Sequence, residues 1–421
     1  MPWKETRVEE ERLKFIAACL DEQSAWSMSE VCDAFGISRK SGYKWLQRYH
    51  GAGVEGLRDR GRAPLHHPHA TPAEVVAKLI AAREQHRFWG PRKLVAYLKR
   101  VAPDQHWPSP STAGGLLKRH GLVKARRRRR GAIGAVCTPL ITPTHPNHVW
   151  GVDYKGWFRT GDGARCDPLT ISDLFSRYLL ECRRVPRLTT ECAWPVFERA
   201  FREYGLPDTI RSDNGSPFAS VGLGGLSRLS VWWVKLGIQL ERIVPGRPDQ
   251  NGRHERMHRT LKRETALPPC ATARAQQRSF DCFRTLFNTE RPHEALNNTL
   301  PAQWYRPSLH PYPARLAAVE YPGHFEVRRV RTTGEIKWQG ACVYLSEALV
   351  GEPVALEALS DRHWKISFGP IDLALFDAHT RKLLAYKRPS RRDRAEACAT
   401  RAIVENSSRP SGSFRSPQSQ G

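Results

Sequence analysis

No stretch of about 18 uncharged apolar residues occurs in the 421-residue chain, which argues against a membrane-spanning helix. The opening residues, Met1 to Arg7, lack the apolar core of a signal peptide. A soluble cytoplasmic protein is therefore expected, with no membrane partner. The ten cysteines are scattered and no Cys-x-x-Cys occurs, so neither a disulfide framework nor a zinc finger is expected. His66, His67 and His69 lie among prolines with no cysteine or acid nearby and read as loop rather than metal site. Acidic charge is also scarce: 42 Asp and Glu against 67 Lys and Arg leave a net charge of +25, with a pI near 10.0. An excess of this size points to a polyanionic partner, nucleic acid before an anionic membrane. Length alone argues for about two to four domains.

The amino-terminal third reads as helical. Residues 8–20 place Leu13, Ile16, Ala17 and Leu20 at helical spacing. From Met28 a short helix, a turn at Gly36 and a second helix capped by Ser38 have helix-turn-helix spacing. Val31, Phe35 and Ile37 are expected in its core, with Tyr43 and Leu46 burying the back of the second helix. Arg39, Lys40 and Lys44 are left on the front, where a recognition helix meets the major groove. A Gly-, Pro- and Arg-rich connector leads to a second helical unit, with helices over 73–86 and 91–100 and another starting at Ser109. It looks like a further DNA-binding module. Lys124 and Arg126, Arg127, Arg128, Arg129 and Arg130 follow as a cationic run without an acid, suited to a phosphate backbone or a minor groove. Nuclear targeting is the rival reading of such a run.

From His148 the period changes to that of strands. Strands over 149–158, 165–176 and 178–185, a helix over 189–204, a strand over 207–213, a helix near 231–236 and a strand over 238–244 make an α/β layer domain. Two prolines and two glycines then break regular structure before Gln250, and good helix formers follow Asn251. Glu255 is thereby delivered onto the first turns of a helix, with His258, Arg259 and Lys262 at i+3, i+4 and i+7. Another helix spans 272–289. Beyond Pro313 five short strands (325–330, 336–345, 353–359, 363–368 and 373–376) suggest a small barrel, and the tail from Lys387 has a disordered composition.

Three acids stand out. Asp153 lies within a strand of aromatic and aliphatic residues, Asp213 follows a later strand, and Glu255 begins a helix. A carboxylate inside a strand needs a partner or a metal. Three together would repel one another, and a pair of hydrated Mg2+ ions, or Mn2+, removes that difficulty with hard oxygen ligands.

Taken in order, Trp150-Gly151-Val152-Asp153-Tyr154, Arg211-Ser212-Asp213-Asn214-Gly215, the run from Gln250 through Glu255 to Lys262, and Asn288-Thr289-Glu290-Arg291-Pro292-His293 resemble insertion-sequence transposases with a retroviral-integrase-type core. Tyr43-Lys44-Trp45-Leu46, Gly56-Leu57-Arg58-Asp59-Arg60 and Trp89-Gly90-Pro91-Arg92-Lys93-Leu94 look like the helix-turn-helix region of bacterial members. The resemblance covers most of residues 28–305. It implies an RNase H-like fold, a catalytic and metal-binding triad at Asp153, Asp213 and Glu255, and an SH3-like barrel after the core. Two departures stand out: 41 residues separate Asp213 from Glu255, more than the family's usual gap, and helical units replace the retroviral zinc module. The surplus falls in residues 220–226, expected as a flexible loop.

The resulting scheme is a helix-turn-helix domain over 8–60, a second over 71–123, a basic linker over 124–145, an integrase-type core over 146–307, a barrel over 322–386 and a disordered tail over 387–421. The expected activity is binding of an element's terminal repeats, hydrolytic nicking of its ends, and transfer of the freed 3′-hydroxyls into target DNA by two-metal chemistry. Arg259 and Lys262, with His258, would line the path of the cut strand. Duplex DNA is the expected partner, with at least a dimer to join two ends, and a nucleoid-associated location. The competing readings are a domesticated, non-catalytic DNA-binding regulator and an RNase H acting on hybrids; the two DNA-reading modules argue against the latter.

Overall fold

The computed structural model describes residues 8–21, 26–59, 70–123, 140–244 and 248–384. The histidines at 66–69, the arginines at 126–130 and the tail from 387 lie outside them. The chain divides into two compact units, the first ending at Thr71 and the second starting at Pro72.

The first unit contains α1 (Val8–Leu20), α2 (Met28–Ala34) and α3 (Arg39–Ala52). Ser27 and Glu30 cap α2 reciprocally, Gly36 turns at φ +63°, and Ser38 caps α3 by accepting from Ser41 N–H. Phe15, Ile16, Val31 and Cys32 form the core, with Phe35, Ile37, Trp45, Leu46 and Tyr49 packed around it. Tyr43, expected on the buried back of α3, is exposed. The buried stripe runs through Gly42, Trp45, Leu46 and Tyr49, the i, i+3, i+4, i+7 set, and Tyr43 is turned about 100° away from Gly42. Gly42 is needed there because a Cβ would lie 2.4 Å from Cys32 Sγ. Arg39, Lys40 and Lys44 are exposed on the other side.

The second unit opens with α4 (Ala73–Gln85), α5 (Pro91–Val101) and α6 (Pro110–Arg119). They close around Val75, Leu79, Trp89, Leu94, Leu98 and Leu117. This three-helix bundle is tied to the rest of the second unit: Arg92 Nη1 pairs with Glu294 Oε1 at 2.5 Å, and Arg100 Nη2 donates to Glu290 O at 3.1 Å.

The central layer contains β1 (Val149–Tyr154), β2 (Phe158–Arg159), β3 (Arg165–Asp173), β4 (Leu179–Val185), α7 (Thr190–Tyr204), β5 (Thr209–Ser212), α8 (Arg228–Lys235), β6 (Gln239–Arg242), α9 (Gly252–Thr265), α10 (Ala273–Thr289) and α11 (Pro301–Trp304). Its sheet runs β2-β3-β1-β5-β6, with β4 also paired to β3. β1 is antiparallel to β3 and β3 to β4, while β1, β5 and β6 are parallel. This is an α/β core of the RNase H-like kind. The expected first strand, 149–158, divides into β1 and β2 across Gly156, at φ +84°. Trp150, Leu169, Ile171, Phe197, Phe201 and Trp233 are buried between the sheet and α7 and α8.

Past the core come β7 (Glu326–Arg329), β8 (Glu335–Trp338), β9 (Ala341–Tyr344), β10 (Pro353–Ala358), β11 (His363–Phe368), β12 (Ile371–Asp377) and β13 (Lys382–Leu384). The expected strand over 336–345 is instead the β8–β9 hairpin, reversed at Gln339 (φ +44°) and Gly340 (φ +82°), the double positive φ of a type I′ turn. Five strands form an open antiparallel sheet, β13-β12-β11-β10-β7, and β8 and β9 a separate ribbon. Among the described residues the ladders do not close into a barrel. Trp338, Phe368 and Phe376 bury the two sheets against each other.

Residues 220–226 are not a free loop. Leu223 and Leu226 join the carboxy-terminal core, Gly224 lies against Leu373, and Ser220 Oγ donates to Leu226 O at 2.5 Å. The surplus between Asp213 and Glu255 thus anchors the carboxy-terminal sheet, helped by a half-buried Lys235–Glu352 ion pair at 2.8 Å.

Asn288, first residue of the fourth motif, is buried at the end of α10. Its Oδ1 accepts from Leu179 N–H at 2.8 Å and its Nδ2 donates to Leu179 O at 2.9 Å, satisfying two backbone groups of β4. Asn288→Leu, similar in volume, strands both groups and is expected to cost about 2–5 kcal/mol. Urea unfolding checks this, and a loss below about 0.5 kcal/mol would contradict the role.

Candidate active site

Parallel strands present their carboxyl ends at one edge. Trp150 is in register with Ile210 and Gly151 with Arg211, so Asp153 and Asp213 emerge side by side. Arg211 braces this edge: its Nε meets Glu241 Oε2 on β6 at 2.7 Å, and its Nη2 donates to Ile141 O. Asp213 tops β5 in a tight turn in which its Oδ1 accepts from Gly215 N–H at 3.1 Å.

Asp153 is largely buried, its side chain 18% exposed. Burial pushes its pKa up to about 7, and the charge of Asp213 adds to the shift. Asn251, at the start of α9, donates from Nδ2 to Asp153 Oδ2 at 2.7 Å.

α9 lies against β1 at Gly151, where a Cβ would come within 2.9 Å of His254 Nδ1 and 2.8 Å of Leu174. His254 and His258 are both buried. Thr170 Oγ1 on β3 contacts His254 Nε2 at 3.0 Å and His258 Nε2 at 2.7 Å, and donates to Asp153 O at 3.1 Å. With the hydroxyl proton committed to that carbonyl, both imidazoles donate through Nε2. His258 then turns an unprotonated Nδ1 toward Asp153 Oδ2, at 3.6 Å, which favours a proton on the carboxyl. Burial lowers the pKa of both rings, that of His254 to about 4, so both are neutral.

His258 therefore does not belong to an exposed basic stripe with Arg259 and Lys262, as its i+3 spacing from Glu255 suggested. The helix turns only about 40° between His254 and His258, and both face the sheet. Arg259 and Lys262 are exposed but diverge. Lys262 lines a cavity of about 360 Å³ with Lys155 and Trp157, whereas Arg259 lines a different one, of about 340 Å³. Glu255 is exposed on the first turn of α9. Among the described residues no three His, Cys, Asp or Glu side chains converge closely enough to hold a metal ion, so Asp153, Asp213 and Glu255 do not form one ligand cluster, although Asp153 feels the charge of Asp213. Sequence reading missed His254, Asn251 and Trp157. The Gln250-to-Lys262 motif contains the first two, and the aromatic Trp157 beside Lys155 was a signal for the third.

The Asp153 pKa, raised from 3.8 to about 7, makes this carboxyl a cost to the metal-free fold. The folded state holds its proton more tightly than the unfolded state, so stability falls as pH rises from about 4 to 7. Asp153→Asn is expected to be more stable than wild type at pH 8 in EDTA, by on the order of 2–4 kcal/mol. The difference should vanish near pH 4. Thermal unfolding at both pH values checks this, and equal stability at pH 8 would contradict the shift.

Residues 143–248 and 236–301 match two family models described as Integrase core domain. Residues 6–58 and 41–117 match two described as Homeodomain-like domain. The Insertion element IS407 uncharacterized 31.7 kDa protein of Burkholderia multivorans is 26% identical over 231 residues, 55% of this chain and 80% of that protein. The Transposase for insertion sequence element IS904 of Lactococcus lactis subsp. lactis is 28% identical over 168 residues, 38% of this chain and 62% of that protein. Among solved structures, the HTLV-2 integrase catalytic core domain in complex with magnesium is 15% identical, covering 38% of this chain and 98% of that one, with a TM-score of 0.30. The family matches and insertion-sequence relatives together identify the chain as an insertion-sequence transposase relative with an integrase-type core and homeodomain-like DNA-binding domains.

Proposed function

We propose that the protein binds the terminal repeats of an insertion sequence, nicks the element ends hydrolytically and transfers the freed 3′-hydroxyls into target DNA. The observation that carries this reading is the pair Asp153 and Asp213 at the ends of adjacent parallel strands, with the pKa of Asp153 raised by its burial and further by the charge of its neighbour. Two crowded hard-oxygen donors fit a divalent cation, which would relieve both burial and repulsion. Asp153, Asp213 and Glu255 would hold Mg2+, in two ions, with Mn2+ able to replace it. Bound there, the cations supply Lewis acidity to the attacking and leaving oxygens of the phosphodiester. Glu255 would join the pair from the first turn of α9, a helix whose N-cap Asn251 touches Asp153.

The chain's own residues do the positioning. Asn251 orients Asp153, and neutral His258 and Thr170 fix the floor beneath it. Lys155 and Lys262 offer cations to the strand being cut, with the exposed indole of Trp157 as a stacking surface for an unpaired base. Arg39, Lys40 and Lys44 would enter the major groove of the repeat, and Arg126 to Arg130 would follow its backbone. The helix-turn-helix domains would span 8–60 and 71–123, the basic linker 124–145, the catalytic core 146–307 and an SH3-like barrel, open between its ladders, 322–386, before the tail at 387–421. Two ends require at least a dimer on duplex DNA, in a nucleoid-associated cytoplasmic protein.

The test uses labelled duplexes carrying the element's terminal repeats, with Mg2+. Nicking and joining are expected, with loss of at least about 10³-fold in Asp213→Asn. Specific binding without either reaction, or activity unchanged in Asp213→Asn, would favour the non-catalytic regulator. Gly151→Ala pushes a methyl group against His254 and is expected to slow joining about 10²-fold while sparing DNA affinity. An unaltered joining rate would show that α9 seating does not matter to the reaction.

A further inference from the structure

On the flank of α9 turned away from His258 lies the cavity of about 340 Å³. Its walls come from four segments distant in sequence: α5, the turn after β3, α9, and the chain beyond α10. Lys93, Arg177, Arg253, Arg256, Arg259 and Arg291 all line it. Two acids also do, and both are engaged elsewhere. Asp173 accepts from Asn147 N–H, Ser176 N–H and Ser176 Oγ, and Glu294 pairs with Arg92.

The cations therefore outnumber the acids; Arg291 is buried, and Lys93 and Arg177 are half-buried. Arg291 is 7% exposed; one nitrogen pairs with Glu264 at 2.9 Å, while its buried Nε has no partner. Arg177 Nη1 is likewise buried without a partner. Burial lowers the Lys93 pKa to about 8, with the charge of Arg291 adding to the effect, and lowers that of Arg177 to about 10, with Arg253 adding. A protein gains nothing from burying unpaired donors and crowded cations unless an anion completes them.

We propose that this cavity is a phosphoryl-binding site joining α5 to α9 and α10. A phosphoryl group has tetrahedrally arranged oxygens that accept from several directions at once, matching cations that converge from four segments; a planar carboxylate serves two. The group is either a DNA backbone phosphate or free phosphate, and only the first source rests on the transposase reading. In the first case, DNA crossing between the second helical unit and the core would lock them together.

The full chain is compared in sodium phosphate and in chloride of equal ionic strength. Fifty millimolar phosphate is expected to raise the wild-type Tm by about 2–4 °C. Lys93→Gln removes a half-buried cation, so its Tm in chloride should equal or exceed that of wild type while most of the phosphate shift is lost. Arg177→Gln is a second variant with the same expected loss. Affinity for a random-sequence duplex across salt concentrations separates the sources: a backbone phosphate in the cavity makes the log–log slope shallower by about 1 in each variant. A lost phosphate shift with an unchanged slope assigns the site to free phosphate. A wild-type Tm unmoved by phosphate, or the same shift in both variants, overturns the proposal. Neither readout uses DNA joining, so an inactive transposase would leave the result standing.

Discussion

The ladder between β1 and β5 runs both strands in one direction, so the carboxylates at their ends leave the sheet side by side. Antiparallel pairing would have put Asp153 and Asp213 at opposite edges. The proximity is unfavourable in itself, since burial and like charge both resist ionisation of Asp153. The surroundings compensate: Arg211 and Glu241 brace the neighbouring strands, Asn251 donates to the strained carboxylate, and two neutral imidazoles share one threonine hydroxyl below it. The site is held in place by polar contacts although ionisation of Asp153 is resisted there.

α9 links this pair to the rest of the second unit. Its approach depends on the missing side chain at Gly151, and its two outer flanks face different cavities, one with Lys262 and one with Arg259. The carboxy-terminal sheet is fastened through residues 220–226 and α8, and the second helical unit through α10 and the chain after it. Both attachments reach segments that lie between or just beyond the motif acids.

Much of the site was legible because its signals are local. An aspartate in an apolar strand, a Ser cap before a helix and a Gly-rich break before Gln250 each conflict or agree with their own neighbours, and Asp153, Ser38 and α9 follow. Errors arose where the answer depended on another segment. Tyr43 is apolar enough to bury, yet Gly42 occupies the contact with Cys32. Residues 220–226 have a flexible composition, yet Leu223 and Leu226 find the apolar face of a sheet about 150 residues downstream. The Gln339-Gly340 turn was a local signal that the strand reading passed over.

What the sequence by itself determined is a basic chain, helix-turn-helix-like helical units, and carboxylates at the ends of an α/β layer. These follow from residue type and short-range period, which need no partner in space. Only the tertiary structure decided which acids meet, that His258 faces inward with His254, and that six cations from four separated segments enclose one cavity. Side-chain direction on a helix is set by what the helix packs against, and convergence of distant segments is set by strand order. Neither is written in any one stretch of the chain.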